Sequence, residues 1–260
     1  MADVSTEHPA LRSVWWVIPV YNDAGTVRAV VAECRSLLDN VVVVDDGSTD
    51  ANLSDLLAGL DVSLISHDRN RGKGAAIRTG IDFVRSRGGE IALTIDADGQ
   101  LFPSDLRSFL PHLTRPEQAL VIGARRFEGT LAPRSSRFGR QFGNFWLWVE
   151  SGIWIEDCQS GFRAYPVDAI SRIRCTGSRF DFEAEILARA AWAGLPLRCV
   201  PVGVHYPEPH LRISRFRPFV DNLRLTVMHT RLVTQRLLPF AHRRGASAAK
   251  GASDRAARES

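Results

Sequence analysis

The stretch Ile91–Gln100 constrains the fold more than any other part of the chain, because an apolar run ends there abruptly in two carboxylates, a glycine and an amide. The apolar run predicts a buried strand, and Gly99 marks a sharp turn. Asp96 and Asp98 then follow the carboxyl end of that strand, where open α/β sheets place their ligands. With Gln100 they offer three oxygen ligands that suit Mg²⁺ or Mn²⁺. A turn or capping role is the alternative for the aspartates.

A second strand ends in the same way. Val41–Val44 is too uniformly apolar for a one-sided sheet, which predicts a parallel strand covered on both faces. It runs into an acidic turn, residues 45–50, and is preceded by an apolar run, residues 14–20, and by helical spacing over residues 26–38. Strand, helix and strand with this ending outline a nucleotide-binding half. For Asp46 a turn or helix-cap role stays open.

Composition limits the function classes. At 260 residues and 45% hydrophobic content, the chain can bury one sizeable core. Lys and Arg number 22 against 26 Asp and Glu in residues 1–210, but 11 against 3 in residues 211–260, so a partner that attracts cations belongs to the C-terminal end. The four cysteines form no Cys-x-x-Cys pair, which predicts reduced thiols in the cytoplasm. We expect no cleaved signal and no membrane-spanning segment.

A glycine-rich loop with cations precedes the next predicted helix. Residues 62–66 read as a strand, and residues 68–74 then carry two glycines, two arginines and Lys73 ahead of a helix over residues 75–87. Glycine-rich backbone, positive side chains and a helix N-terminus favour a phosphate ligand. The spacing matches neither a P-loop nor the dinucleotide fingerprint, so this signal is unspecific by itself.

Four motifs, in this order, resemble glycosyltransferase family 2, and within it the polyprenyl (dolichyl) phosphate mannose or glucose synthase branch. They are Val17–Asn22, Val44–Asp50, Asn70–Gly74 and Asp96–Gln100. The resemblance covers about residues 14–210. It implies a GT-A fold, which is an α/β fold with a mostly parallel nucleotide-binding sheet flanked by helices. It also implies inverting transfer from a nucleotide-sugar.

The resemblance also implies roles for single residues. Asp23 departs from the glutamate that the family often has there, so its ribose contacts are expected to differ. Asp46 would contact the base or ribose, and Lys73 would lie near the nucleotide. The implied nucleotide-sugar ligands are Pro19, Tyr21, Asp23, Asp46, Lys73 and Asp96, and the implied metal ligands, for Mg²⁺ or Mn²⁺, are Asp96, Asp98 and Gln100.

A lipid phosphate acceptor would arrive ionised, so it needs cations more than a general base. A strand predicted over residues 120–124 ends in Arg125 and Arg126, and further arginines, Arg137 among them, follow in what we expect to be a loop rich in Ser and Gly. Arginine pairs bidentately with phosphate. We predict Arg125 first and Arg137 second as catalytic, acceptor-binding cations.

The segment Glu156–Tyr165 contains an Asp-x-x-Ser-Gly-Phe-Arg pattern that borders the acceptor pocket in the same branch. By resemblance, Ser160 and Arg163 would bind the acceptor, and Asp157 would be a base or orient the sugar. A salt bridge between Asp157 and Arg163 is the alternative. Further carboxylates and a histidine are candidates for the same site: Glu183 or Glu185, in a helix predicted from Phe180 to Trp192, could face it, and His205 could add a metal ligand, although a packed or surface role is commoner.

The C-terminal part predicts a basic amphipathic helix over residues 214–240, of the kind that lies in a membrane headgroup layer. The alternative is that its apolar face packs on the catalytic domain or a second subunit. The predicted layout is a flexible N-terminus, residues 1–13; a GT-A domain, residues 14–210; this helix, residues 211–240; and a disordered tail, residues 241–260.

The resulting hypothesis is an inverting glycosyltransferase bound peripherally to the cytoplasmic membrane face, which moves a hexose from a UDP- or GDP-sugar to a polyprenyl phosphate or related lipid. Three alternatives remain from the sequence. They are transfer to a hydroxyl of a glycolipid or secondary metabolite, a nucleotidyltransferase, and a non-catalytic nucleotide-sugar-binding module. Nucleic acid is not an expected partner because no reader motif is present. Homo-oligomers remain open.

Overall fold

The structure is a computed structural model that describes residues 9–113, 118–128, 132–206 and 218–238. Seven strands form one sheet. In chain order they are β1 (Val14–Val20), β2 (Val41–Asp45), β3 (Ser63–Ser66), β4 (Ile91–Thr94), β5 (Leu120–Arg125), β6 (Arg163–Pro166) and β7 (Leu197–Val202).

The strand order across the sheet is β3-β2-β1-β4-β6-β5-β7. Neighbouring strands are parallel except at β6, which is antiparallel to both β4 and β5. The mostly parallel sheet predicted from the sequence is therefore confirmed. Because β6 runs backwards, the chain enters it at the same edge of the sheet where β4 and β5 end. We call this edge, where the six parallel strands end, the carboxyl edge.

The helices cover both faces of the sheet. In chain order they are α1 (Val27–Leu37), α2 (Leu53–Leu56), α3 (Lys73–Ser86), α4 (Leu106–Leu113), α5 (Arg134–Ser151), α6 (Val167–Ser171), α7 (Phe180–Trp192) and α8 (Pro218–Leu237). One core lies between the sheet and α1 and α4, and a second core lies between the sheet and α3, α6 and α7, with side chains from α5 and α8 added.

Strand β2 shows why an unbroken apolar run is needed in the middle of such a sheet. Val41 and Val43 point into the first core, whereas Val42 and Val44 point into the second. All four are buried, since successive side chains of a strand face opposite sides. The prediction of a strand covered on both faces is confirmed.

One local prediction was wrong. The segment around Arg137 is not a loop rich in Ser and Gly but the start of α5, an 18-residue helix that begins after Pro133 and ends at Gly152 in the left-handed conformation. Within the N-terminal segment predicted to be flexible, residues 1–13, residues 1–8 lie outside the described residues, and residues 9–13 form a short 3₁₀ helix whose Leu11 is buried in the first core.

The amphipathic helix predicted over residues 214–240 is observed as α8; residues 214–217 and 239–240 lie outside the described residues. Met228 and Leu232 are buried in the second core, whereas Leu223 and Val227 are exposed. One face of the helix thus packs on the domain that contains the sheet, as the alternative anticipated, and a second apolar face points outward. Within the described ranges, no helix combines the length and apolarity needed to cross a bilayer.

Candidate active site

The acidic loop after β4 lies at the carboxyl edge of the sheet. Gly99 takes a φ of 73°, which lets the chain reverse, and the Gln100 backbone N–H donates to Asp98 Oδ1 at 3.0 Å. The Thr26 hydroxyl at the start of α1 donates to the Ala97 carbonyl at 2.6 Å, so the loop is fixed to that helix. The two aspartates are thereby held at the end of a central strand, as the sequence predicted.

Strand β6 brings a second segment against this loop. Thr94 pairs with Arg163 in the antiparallel register, and the Thr94 hydroxyl donates to the Gly161 carbonyl at 2.8 Å. A Cβ atom on Gly161 would lie 2.4 Å from both carboxylate oxygens of Asp96, far inside van der Waals contact. The glycine of the Ser-Gly-Phe-Arg pattern is therefore required because the Asp96 carboxylate occupies the space of a side chain.

Lys73 is the cation closest to the acidic loop among the ion pairs of the described residues. It is the first residue of α3, and its Nζ lies 2.7 Å from Asp96 Oδ1 and 3.0 Å from Glu183 Oε1 of α7. Burial alone would lower the pKa of Lys73, but the charges of Asp96 and Glu183 raise it above its ordinary value. Lys73 therefore stays charged and compensates one of the two loop aspartates.

Asp98 is less well compensated than Asp96. Desolvation, followed by the neighbouring charge of Asp96, raises the pKa of the Asp98 carboxyl to about 6, and Asp23 contributes in the same direction. Two carboxylates that repel each other in this way form a site that a divalent cation would stabilise. Asp23, predicted as a ribose ligand, is thus close enough to act electrostatically on the loop.

The donor set fits a hard divalent cation such as Mg²⁺ or Mn²⁺. In the described part of the chain no three His, Cys, Asp or Glu side chains converge in metal-ligand geometry. The protein's own candidate ligands are Asp96 and Asp98, and two carboxylates with substrate phosphate and water in the remaining positions is the usual arrangement for Mg²⁺. His205 lies beside the loop, since its backbone N–H donates to the Gln100 carbonyl at 2.8 Å, and its side chain is exposed.

Of the residues predicted to bind the nucleotide, Pro19 is buried in β1 and Tyr21 follows it half-buried at the carboxyl edge. Asp46 is buried, and its carboxylate accepts the backbone N–H groups of Arg71 and Gly72 at 2.8 and 2.7 Å. His67 Nδ1 lies 2.8 Å from the same carboxylate. Asp46 therefore attaches the glycine-rich loop to the end of β2 and fixes the start of α3.

Arg125 and Asp157 form a bidentate ion pair on the other side of the acidic loop. Arg125 Nε lies 2.7 Å from Asp157 Oδ2, its Nη2 lies 2.9 Å from Oδ1, and Asp157 is fully buried. Burial alone would lower the pKa of Arg125; the contact with Asp157 raises it, with smaller contributions from Tyr206 and Asp96. The predicted alternative partner of Asp157, Arg163, is thus not the one observed.

Two further arginines of α5 surround Arg125. Arg140 donates to the Arg125 carbonyl at 2.8 Å, and Arg137 donates to the Phe127 carbonyl at 3.0 Å. The guanidinium carbons of Arg125, Arg137 and Arg140 lie 5.4, 5.5 and 4.1 Å from the centre of the Phe127 ring. The structure thus brings Arg125 and Arg137 together, and adds Arg140, which the sequence had not singled out.

Arg163 and Ser160 have positions different from those predicted. The Arg163 guanidinium is completely buried and donates to the carbonyls of Cys158, Ser160 and Glu183 at 2.6–2.7 Å. Ser160 is also fully buried, and its Oγ accepts the Phe162 N–H at 3.3 Å. These contacts correct the prediction that both bind the acceptor: they hold the loop before β6 in shape.

Glu185 does not face the acidic loop, although the sequence had offered it as a candidate for the site. Its buried carboxylate lies 2.6 Å from Arg189 Nε and 2.8 Å from Arg231 Nη2, and it accepts the N–H groups of Thr176 and Gly177. Desolvation would raise the pKa of Glu185, but these contacts lower it below the ordinary value. Glu185 attaches α8 to α7; the carboxylate of α7 that reaches Lys73 is Glu183, the other member of the predicted pair.

An acidic loop, a glycine-rich loop and an arginine cluster lie at the carboxyl edge of this α/β sheet, which is where proteins of this class bind nucleotides and phosphates. Residues 15–174, more than half of the chain, match the family model described as Glycosyl transferase family 2. The chain therefore belongs to glycosyltransferase family 2.

Among its relatives is the UDP-N-acetylglucosamine–dolichyl-phosphate N-acetylglucosaminyltransferase of Methanococcus voltae, 28% identical over an alignment of 220 residues, with 76% of this chain and 87% of the relative covered. Another is the polyprenol monophosphomannose synthase of Mycolicibacterium smegmatis, 27% identical over an alignment of 230 residues, with 82% of this chain and 84% of the relative covered. The resemblance to the polyprenyl phosphate branch is confirmed.

Solved structures confirm the GT-A fold. Glucosyl-3-phosphoglycerate synthase from Mycobacterium tuberculosis, in complex with Mn²⁺, UDP and phosphoglyceric acid, superimposes with a TM-score of 0.64 at 19% identity, covering 91% of this chain and 83% of that one. Mannosyl-3-phosphoglycerate synthase from Rubrobacter xylanophilus gives 0.62 at 22% identity, covering 90% and 80%. An enzyme of this fold thus holds a divalent metal together with UDP.

Proposed function

We propose that this chain is an inverting glycosyltransferase that moves a hexose from a UDP- or GDP-sugar to a polyprenyl phosphate or a related lipid at the cytoplasmic membrane face. The observation that carries the proposal is the pairing of an undercompensated acidic loop, Asp96 and Asp98, with an arginine cluster around Arg125 across the same edge of the sheet. The first suits a metal-bound diphosphate, and the second suits a phosphate acceptor.

On the donor side, the leaving diphosphate gains negative charge as the sugar departs. Asp96 and Asp98, with Gln100 and His205 beside them, would hold Mg²⁺ or Mn²⁺, which supplies charge stabilisation for that diphosphate. Lys73 is held by Asp96 and Glu183 and adds a fixed positive charge next to it. Pro19 and Tyr21 line the nucleotide side, and Asp46 keeps the glycine-rich loop in place for the phosphates.

On the acceptor side, the contacts favour a phosphate over a hydroxyl. A hydroxyl acceptor needs a general base, and both oxygens of Asp157, the predicted base, are already engaged by Arg125. An ionised phosphate needs only orientation and charge, which Arg125, Arg137 and Arg140 provide. We therefore assign Asp157 the task of orienting Arg125, and we assign the arginines the task of binding the acceptor phosphate.

The first test combines binding and product analysis. UDP-glucose and GDP-mannose are titrated calorimetrically with and without Mn²⁺ on the wild type and on Asp98→Ala. We expect metal-dependent binding of one donor in the wild type and none in the variant. Transfer is then assayed in liposomes that contain either a polyprenyl phosphate or a glycolipid hydroxyl as acceptor.

The products separate the alternatives. Release of a nucleoside diphosphate with glycosylation of the phosphate acceptor supports the proposal. Exclusive use of the hydroxyl acceptor would replace the proposed acceptor, and release of pyrophosphate would indicate a nucleotidyltransferase. Donor binding without any transfer would leave a nucleotide-sugar-binding module.

A further inference from the structure

A row of exposed aromatic side chains lies along α5. Phe138, Phe142, Phe145 and Trp148 follow one another at intervals of four, three and three residues, which places them on one side of the helix. Their exposed fractions are 68%, 52%, 47% and 48%. We call these four residues the α5 aromatic stripe.

The fold does not need this stripe for its core. The other side of α5 already packs inward: Leu147 is buried in the second core, and buried Asn144 donates to the Glu156 carbonyl and accepts the Cys158 N–H. Phe138 stacks on Phe142 at 6.1 Å without either ring becoming buried. Contiguous exposed aromatic surface of this kind marks an interaction site.

The charges around the stripe indicate which partner it fits. Arg137 and Arg140 lie in the first two turns of α5. At the other end of α5, Arg236 of α8 donates to the Trp148 and Val149 carbonyls. The single acidic residue of α5, Glu150, is buried against His229 and adds no exposed carboxylate. Aromatic rings flanked by arginines match the headgroup layer of an anionic bilayer, where rings lie at the interface and cations meet lipid phosphates.

Neighbouring elements extend the same surface. Trp154, three residues after the end of α5, is 62% exposed. Helix α8 lies against α5, since the Trp146 ring stacks on His229 with 5.6 Å between centroids, and its exposed side carries Leu223 and Val227. The chain from residue 211 onward carries 11 basic against 3 acidic residues, which adds to the attraction for an anionic surface.

We propose that the α5 aromatic stripe is the surface through which this protein docks on an anionic lipid bilayer, with α8 in a supporting position. This inference rests on the proposed function, because it gives the lipid acceptor its route to the site. Arg137 and Arg140 belong to the same helix and surround Arg125, so docking through α5 brings lipid phosphates to the acceptor side of the site.

The test is co-sedimentation with vesicles of phosphatidylcholine alone or mixed with phosphatidylglycerol. The variant Phe142→Ser/Trp148→Ser should lower the partition coefficient on the mixed vesicles by about tenfold or more, because two interfacial rings are lost. The matched control is Gln141→Ser, an exposed polar position on the same helix, which should bind as the wild type does. Both variants should keep the wild-type circular dichroism and unfolding temperature, since the changed side chains are exposed.

A second double variant tests whether α5 or α8 is the main docking surface. Leu223→Ser/Val227→Ser on α8 should reduce vesicle binding less than the α5 pair does. Wild-type vesicle binding by the α5 pair, or loss of binding through the α8 pair alone, would overturn the proposal. So would sedimentation equilibrium without lipid that shows a wild-type dimer and a monomeric α5 variant, because the stripe would then join two copies of the chain.

A lipid-free assay separates this inference from the proposed function. Transfer to a short, water-soluble isoprenyl phosphate without vesicles should be equal in the wild type and the α5 pair. If the wild type transfers to this acceptor but its vesicle binding is independent of the stripe, only the docking inference fails. If vesicle binding depends on the stripe but no acceptor is glycosylated, only the proposed function fails.

Discussion

The acidic loop after β4 and the two arginine-bonded carboxylates, Asp157 and Glu185, differ in how fully their charge is compensated. Asp98 has its pKa raised to about 6 by desolvation and by Asp96. Asp157, in contrast, is held by both arms of Arg125, and Glu185 by two arginines and two backbone N–H groups. The second group is complete within the protein and stabilises it. The first is left incomplete, which is what a site for an external cation requires.

The largest effect should come from removing one carboxylate of the incomplete group. Asp98→Asn keeps the shape of the side chain but removes a proposed metal ligand, so we expect Mn²⁺-dependent transfer to fall by about a thousandfold, or ~4 kcal/mol of transition-state stabilisation. Initial rates at saturating Mn²⁺ measure this loss. Asp82→Asn on exposed α3 surface is the control and should keep the wild-type rate. A variant rate within tenfold of wild type would contradict the assignment of the metal site.

Removing a carboxylate of the complete group should lower the stability of the fold. Asp157→Asn leaves Arg125 half-buried without its carboxylate, which should lower the free energy of unfolding by about 3 kcal/mol. Urea unfolding at pH 7 measures the change. Asp39→Asn is the matched control, because Asp39 binds Arg35 at 2.6 Å but is exposed, so a loss of at most ~0.5 kcal/mol is expected. Equal losses in the two variants would show that the buried pair of Asp157 and Arg125 stabilises the fold no more than an exposed ion pair does.

The same contrast separates what the sequence predicts from what it does not. The acidic loop could be predicted, because Asp96 and Asp98 directly follow an apolar strand and local pattern determines which edge they reach. The pairing of Asp157 with Arg125 could not, since the partners are 32 residues apart and meet only through the antiparallel β6. Arg163 is nearer to Asp157 in sequence and was predicted as its alternative partner. In the structure the Arg163 guanidinium donates to backbone carbonyl groups.

Helix α5 shows a second reason why a prediction from the sequence was wrong. Ser, Gly and Arg at its start indicated a loop, yet the aromatic residues from Phe138 to Trp148 recur at helical intervals. That period was the signal that could have found the helix. It is easily missed because the repeated residues are exposed rather than buried, so the stripe does not look like a core-facing pattern.

A smaller effect is expected where a complete carboxylate joins two helices. Glu185→Gln removes the charge that holds Arg189 of α7 and Arg231 of α8, which should cost about 2 kcal/mol of unfolding free energy at pH 7. Because the folded-state pKa of Glu185 is lowered, its contribution is present above the ordinary value of 4.5 and is lost as pH falls through the folded value. Wild type and variant should therefore converge in acid.

Exposed Glu33→Gln on α1 is the control for this helix-joining role, and it should show no such convergence. Urea unfolding at several pH values between neutral and acid measures both variants. A Glu185→Gln protein as stable as wild type at pH 7 would mean that α8 is held by its apolar contacts alone.

The smallest effect is a pH dependence of metal binding, which only the acidic loop should show. With a pKa of about 6, Asp98 is largely ionised at pH 7, and below pH 6 protonation should weaken Mn²⁺ binding by about tenfold per pH unit. The metal-free protein should change in the opposite sense. Since the folded pKa lies above the ordinary 3.8, the stabilisation is present at low pH and is lost as pH rises through about 6.

Calorimetric Mn²⁺ titrations with UDP between pH 5 and about pH 7 test this dependence. His205→Gln separates any titration of the nearby imidazole from that of the carboxyl. If the dependence persists in His205→Gln and the metal-free Asp98→Asn protein loses the stability change, the acidic loop is strained until a cation completes it. If metal binding is flat across this range, the charge of Asp98 is compensated inside the protein, and the two groups of carboxylates are not distinct.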